Sequence, residues 1–329
     1  MKSLPVLLLT AAYAVAAVDG VVVNQTTNKP QAGVTVALIQ LGEGMKSVGS
    51  VQSGPDGKFN FDLNTQPGAP YLIQAMHQGV NYNRMLPPGT PGTGLTIQVY
   101  EASAKTTKAV VTQDMFLVEP NGSEVLVSER VVYTNDGNIT YADPEGTLRF
   151  FVPEGVSRPV QVRVQGPQGM PINRPAEKGS QPNTYVVKYP IKPGETNIDI
   201  NYALPMSGNE AKFAGKILHS GGPIRFVTPS GVKIEGPFAD AGPIPGTAAT
   251  AYTLTARQFD LKITGTGSLR AAAQPEAAGE PEEGSQIEAR KPLIYDKLTY
   301  VLVFAFSMLA VGFVILYRRV TPVRAGAKR

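Results

Sequence analysis

The chain has 329 residues, with 30 Lys and Arg against 26 Asp and Glu for a formal net charge of +4, and it contains neither cysteine nor tryptophan. Five of the basic residues crowd into the last twelve positions, so the remainder is close to neutral and nothing in it argues for nucleic acid or a polyanion as partner. The lack of cysteine excludes disulfides, thiolate metal sites and a lipid-bearing cysteine, and a cysteine-free ectodomain of this size is more typical of a bacterial envelope than of the animal secretory route.

Residues 1–17 carry one early charge at Lys2, a short apolar core and small residues at Ala14, Val15 and Ala16. That is the pattern of a secretory signal peptide cut near Ala16 or Ala17; the alternative is an uncleaved signal anchor with the same part of the chain outside. Residues 18–103 then alternate short apolar runs with turn chemistry. The runs fall at 20–23, 34–41, 48–51, 58–63, 71–76, 80–84 and 95–100, separated by turn residues such as Asn28, Lys29 and Pro30, or Pro55, Asp56 and Gly57. Within 58–63, Phe59, Phe61 and Leu63 share one face while Lys58, Asn60 and Asp62 take the other, which predicts a half-buried antiparallel strand. Seven such strands predict a small antiparallel β-sandwich.

These residues also carry a resemblance. Asp19 and Gly20 before three valines, Asn28-Lys29-Pro30 leading to Gly33-Val34, Gly54-Pro55-Asp56-Gly57-Lys58-Phe59, and the run from Tyr71 to Ala75 together resemble the carboxypeptidase regulatory-like domain, itself similar to transthyretin-like sandwiches. The resemblance covers about a quarter of the chain. It implies a non-catalytic β-sandwich and says almost nothing of function. Gly33 is expected to relieve crowding where the chain enters a strand, and Asp56-Gly57 to supply a tight turn. A wider run, from His77 to Tyr82, Pro87 to Thr90 and Gly169 to Pro171, resembles uncharacterised bacterial envelope proteins that join this domain to a second β domain.

Residues 104–268 predict a second, larger β-sandwich. It opens with a hairpin, 109–119 and 124–134, around Pro120-Asn121-Gly122. Strict alternation continues at Val160, Val162 and Val164, at Ile198, Ile200, Tyr202 and Leu204, and at Phe259, Leu261 and Ile263. Ten to twelve strands are expected, with the part after Lys212 as a partly separate sheet and no long helix. Pro153 and Pro205 should each end a strand, since proline cannot donate to an interior ladder.

Residues 269–297 are rich in Ala, Pro and Glu, with five glutamates between 271 and 292, and should form a tether. Residues 298–317, LTYVLVFAFSMLAVGFVILY, hold no ionised side chain. At 1.5 Å per residue they make roughly 30 Å of helix, enough to cross a bilayer once. The tail at 318–329, with Arg318, Arg319, Arg324, Lys328 and Arg329, should stay cytoplasmic by the positive-inside bias. The expected layout is a single-pass protein of the cytoplasmic membrane with an extracytoplasmic or periplasmic β ectodomain.

The chain offers little for catalysis. His77 and His219 lie far apart in sequence, without metal-ligand spacing. Ser230 and Lys233 match S-x-x-K, yet they follow Pro229 and lie among strands. Asn135, Asp136, Asn138, Asp143 and Glu145 crowd one loop that could offer oxygens to Ca²⁺, although turn chemistry explains them equally. Tyr82, Tyr133, Tyr141 and Tyr185 could form a sugar-binding face if exposed. No catalytic residue, metal site or cofactor is expected, and the binding residues stay unassigned. The functional expectation is a non-enzymatic binding, scaffold or assembly protein with an envelope protein as partner; the alternatives are a glycan- or peptide-binding module and, third, a hydrolase assembled only in three dimensions.

Overall fold

The computed structural model describes residues 18–269, apart from 43, 63–67, 106–107 and 168. The expected signal peptide at 1–17, the tether beyond Leu269, the span at 298–317 and the tail at 318–329 lie outside the described residues. The described chain is all β, without a helix, and falls within one compact unit. Among the described residues, accordingly, no helix is long and apolar enough to cross a membrane.

The first nine strands are β1 (Val18–Asn24), β2 (Lys29–Pro30), β3 (Thr35–Gly42), β4 (Gly44–Gln52), β5 (Lys58–Phe61), β6 (Tyr71–His77), β7 (Val80–Leu86), β8 (Leu95–Val99) and β9 (Ala102–Ser103). Each of the seven apolar runs of this region overlaps a strand. One sheet runs β2-β1-β5 with β8 also on β1, and another runs β4-β3-β6-β7. A single hydrophobic cluster draws Val22, Phe61 and Ile97 from the first sheet and Leu38, Ile73 and Tyr82 from the second. Side chains buried this way contribute about 1.5–3 kcal/mol each.

The pairing is not purely antiparallel as expected, because β8 runs parallel to β1, with Gly20 opposite Leu95. Glycine is required there: a Cβ at position 20 would stand 2.1 Å from the Leu95 carbonyl oxygen. Gly33 has a different reason from the one expected. Nothing lies within 4 Å of its would-be Cβ, but its φ of +70° is a left-handed conformation that favours glycine.

Fifteen further strands follow: β10 (Ala109–Pro120), β11 (Glu124–Asn135), β12 (Thr140–Tyr141), β13 (Leu148–Phe151), β14 (Arg158–Gln165), β15 (Ile172–Arg174), β16 (Glu177–Lys178), β17 (Thr184–Val187), β18 (Gly194–Pro205), β19 (Glu210–Lys216), β20 (Ile224–Pro229), β21 (Lys233–Glu235), β22 (Phe238–Pro243), β23 (Ala249–Leu254) and β24 (Gln258–Thr264). An eight-stranded sheet runs β15-β14-β18-β11-β10-β20-β23-β22, and two three-stranded sheets run β13-β17-β16 and β19-β24-β21. Part of the chain after Lys212 therefore forms its own sheet, while β20, β23 and β22 extend the large one. That extension is possible because β20 lies parallel to β10. The second core centres on aromatic rings: Phe116 stacks on Phe226 at 4.6 Å, and Phe213 meets Phe259 edge-on at 5.4 Å.

The two cores are separate clusters, and a polar seam joins them. The short strand β9 pairs in parallel with β12. Beside it the Tyr82 hydroxyl donates to the Tyr100 carbonyl at 3.0 Å and lies 2.9 Å from the Thr140 hydroxyl. Lys192 donates to the Asn81 carbonyl, with its ammonium 5.1 Å from the Tyr82 ring centre.

Candidate functional site

The inward face of β11 reads Val125, Val127, Glu129, Val131, Tyr133 and Asn135, so a carboxyl stands in a row otherwise occupied by core side chains. On β10 the register shifts between Val111 and Gln113, and the inward row there continues as Asp114, Phe116 and Val118. Phe116 pairs with Glu129 across the two strands. Two acids thus enter one core on adjacent strands.

Asp114 is fully buried and lies 3.0 Å from Nε2 of His219, which comes from the connection between β19 and β20. Burial raises the Asp114 carboxyl while the facing imidazole opposes that rise. Glu129 lacks such relief. Burial holds it well above the usual carboxylate range, with the neighbouring Asp114 charge adding to the shift, so its proton is retained far past the pH at which an exposed glutamate ionises. Tyr202, on β18, is pushed up for the same reasons. Among the described residues, Asp114 Oδ1, His219 Nδ1 and the Tyr202 hydroxyl find no hydrogen-bond partner. A cavity of about 10 Å³, room for one water, lies among Glu129, Tyr202 and His219.

His219 also forms part of the wall of an open groove of about 810 Å³. Lys105, Lys108 and Arg149 line it, with Val110, Tyr133 and Tyr141, and no Asp or Glu does so among the described residues. The Arg149 guanidinium is held by its own loop, donating to the carbonyls of Glu145 at 3.2 Å and Gly146 at 3.5 Å. The volume is in the range of small-ligand and peptide sites.

The other sequence candidates fall elsewhere. His77 lies 3.4 Å from Glu101, a carboxylate held low chiefly by hydrogen bonds from Asn24, with Gln78 and His77 adding to the effect. Ser230 donates its amide to Ala248 while Lys233 pairs with Glu235 at 3.0 Å, so the S-x-x-K residues are not brought together as a nucleophile and base. In the oxygen-rich loop, Asn135 Oδ1 accepts the Gly137 amide and Asp143 Oδ1 accepts the Glu145 amide, which closes turns. Among the described residues no three His, Asp or Glu side chains gather as a metal site. Of the four tyrosines, Tyr82 and Tyr133 are buried and Tyr141 and Tyr185 half-buried, so no exposed row forms.

Sequence reasoning missed Asp114, Glu129 and the groove. A signal existed for the acids: both fall in phase with the apolar positions of their strands, where a solvent-facing carboxylate has no place. The groove had none, since its walls come from five separate stretches of chain.

No protein-family model matches the sequence, and no curated protein does. Among solved structures, three of an M1 zinc metallopeptidase from Deinococcus radiodurans are similar over 48% of this chain. A point mutant bound to a Tyr-Ser-Ala substrate gives 12% identity over 43% of its own length at a TM-score of 0.26. The same mutant without that substrate gives 11% over 42% at 0.24, and the unmutated enzyme 11% over 43% at 0.25. The chain thus spans less than half the length of the structures it matches, and likeness at this level carries neither fold nor activity across.

Proposed function

We propose that the chain is a single-pass, membrane-anchored protein of a bacterial envelope whose β ectodomain works by contact, as a binding, scaffold or assembly component without catalysis. In this reading two β-sandwich modules, the first of the carboxypeptidase regulatory-like type, stand outside the cytoplasmic membrane on the acidic tether, held by the helix at 298–317. The observation that carries the contact role is the fate of the polar groups: His77, Lys233, Asn135 and Asp143 are each spent on an internal partner, while an open cationic groove faces solvent.

The buried Asp114–His219 pair is the group closest in kind to catalytic machinery, and its geometry favours a structural role. Nδ1 of His219 is enclosed, and Nε2 is already occupied by the carboxylate. Neither nitrogen is presented to a substrate. Crosslinking in intact cells, followed by capture of the full-length protein from membranes, tests the proposal. Recovery of the same envelope protein in repeated captures is the expected result. Repeated captures without such a partner, or release of the protein from membranes by carbonate, would overturn it.

A further inference from the structure

We infer that the outer face of the sheet β4-β3-β6-β7 is an interface with a second copy of this chain, the same face of each copy packing on the other. The inner face of this sheet supplies Val36, Leu38, Ile73 and Ala75 to the first core. The outer face follows from the register, since directly paired residues share a side. Ile39 pairs with Leu72 and Leu72 with Met85, while Thr35 pairs with Met76.

An antiparallel sheet with one face in water ordinarily turns its polar and charged side chains to that face. Here the charges go the other way. The four strands contain Lys46, His77 and Arg84, and all three fall in the register of the inner face. Lys46 is opposite Gln40, in phase with Val36 and Leu38. His77 is in phase with Ile73 and Ala75 and meets Glu101 at 3.4 Å. Arg84 is opposite Ile73 and donates to the Thr96 carbonyl at 2.8 Å. Among the described residues the outer face of these strands therefore bears no charged side chain. It nevertheless exposes Met76 at 50% and Met85 at 39%, with Met45 at 67% on its margin opposite Leu41.

That charge pattern selects the occupant. An anionic lipid surface or an acidic segment would need cations on the face, and a basic segment would need acids. A glycan would need an open aromatic platform, yet Tyr71 and Tyr82, the aromatic residues of these strands, are buried in the core row. A charge-free face is complementary to itself, because a two-fold axis brings no like charges together and superposes the same patch on both copies. Methionine side chains adapt to such a contact without a preformed fit. The area is sufficient as well. Four strands about 4.8 Å apart, each contributing about seven residues at about 3.4 Å, make a flat footprint of roughly 450 Å² per copy. Accessible surface exceeds the flat footprint, so the pair buries on the order of 1,000 Å², where specific interfaces begin.

The absence of cysteine from the sequence makes a direct test possible. Gln74→Cys places one thiol near the middle of the face, between Ala37 and Asn83, and Gln98→Cys places one on exposed β8 of the other sheet. Each full-length variant is treated in membranes with a flexible bismaleimide, and the products are separated by mass. About tenfold more covalent homodimer is expected from Gln74→Cys than from Gln98→Cys. Adding Met76→Glu and Met85→Glu to Gln74→Cys should return the yield to the Gln98→Cys level with unchanged circular dichroism, since carboxylates would then face their own copies. Met76→Glu alone keeps the test decisive if the pair misfolds. Association through any other part of the chain is indifferent to these charges. Equal yields at the two positions, a homodimer that persists in the folded charged variants, or crosslinking of Gln74→Cys chiefly to a different protein would overturn the inference. The contact role proposed above is judged separately, by capture of an envelope partner.

Discussion

Replacing Glu129 by Gln should leave stability nearly unchanged in acid and raise it progressively toward neutrality. The reasoning starts from the direction of its shift. The folded carboxyl titrates well above the usual value near 4.5, so between the two values the folded chain holds a proton that the unfolded chain has released. Its contribution is therefore fully present below the unfolded value and declines as pH rises toward the folded one. The decline is at most about 1.4 kcal/mol per pH unit, or about 2.7 kcal/mol from pH 5 to pH 7. Glutamine has nearly the same shape and does not ionise, so the variant lacks this slope.

The surrounding groups decide whether that difference is clean. Asp114 faces Glu129 from β10 and Tyr202 from β18, while His219, Arg149 and Lys216 line the same small cavity. All of them are present in both proteins, so the comparison isolates the Glu129 proton together with its charge interaction with Asp114 and Tyr202. Urea unfolding of the full-length protein in mild detergent, followed by far-ultraviolet circular dichroism at pH 4, 5, 6 and 7, supplies the numbers. The gap between variant and parent should widen steadily in favour of Gln. Parallel stability curves across that range would refute the buried, proton-holding glutamate.

Two further outcomes are expected. Gly20→Ala should destabilise by about 2–4 kcal/mol, since its Cβ would stand 2.1 Å from the Leu95 carbonyl oxygen, whereas Gly33→Ala should cost only about 1 kcal/mol for its positive φ; denaturant midpoints of the two variants give the comparison. Lys192 is held down to about 8 by burial at the seam, below its unfolded value of 10.5. Its ammonium is thus penalised at lower pH, and stability should rise from pH 8 to pH 10 by an increment that Lys192→Met lacks; melting temperatures with the same pH dependence in both proteins would count against this.

Strand positions were legible because side chains alternate with period 2 wherever one face is buried. Phe59 and Phe61, or Ile198, Ile200 and Tyr202, announce their strands and their inward face together. Strand partners were much less legible. The parallel pairing of β8 on β1 and of β20 on β10 depends on crossovers whose direction no local pattern records, and the all-antiparallel expectation failed there. Net charge misled in a similar way: near-neutrality outside the basic tail concealed a groove that gathers Lys105, Lys108 and Arg149 on one wall system. Composition averages over the surface, whereas recognition depends on where the chain brings charges together.

The buried acids carry this one step further. A carboxyl in the row between Val127 and Val131 is costly, and an aliphatic side chain there would stabilise the core by removing an ionisable group from it. Asp114 draws His219 onto the eight-stranded sheet at 3.0 Å, and His219 is itself a wall residue of the groove. The polar cluster therefore fixes the connection from β19 to β20 against β10, at the wall of the groove. An apolar core at this place would be more stable, but it would leave that wall without a directional anchor. The cost of the buried polar groups and the shape of the groove are two consequences of the same contact.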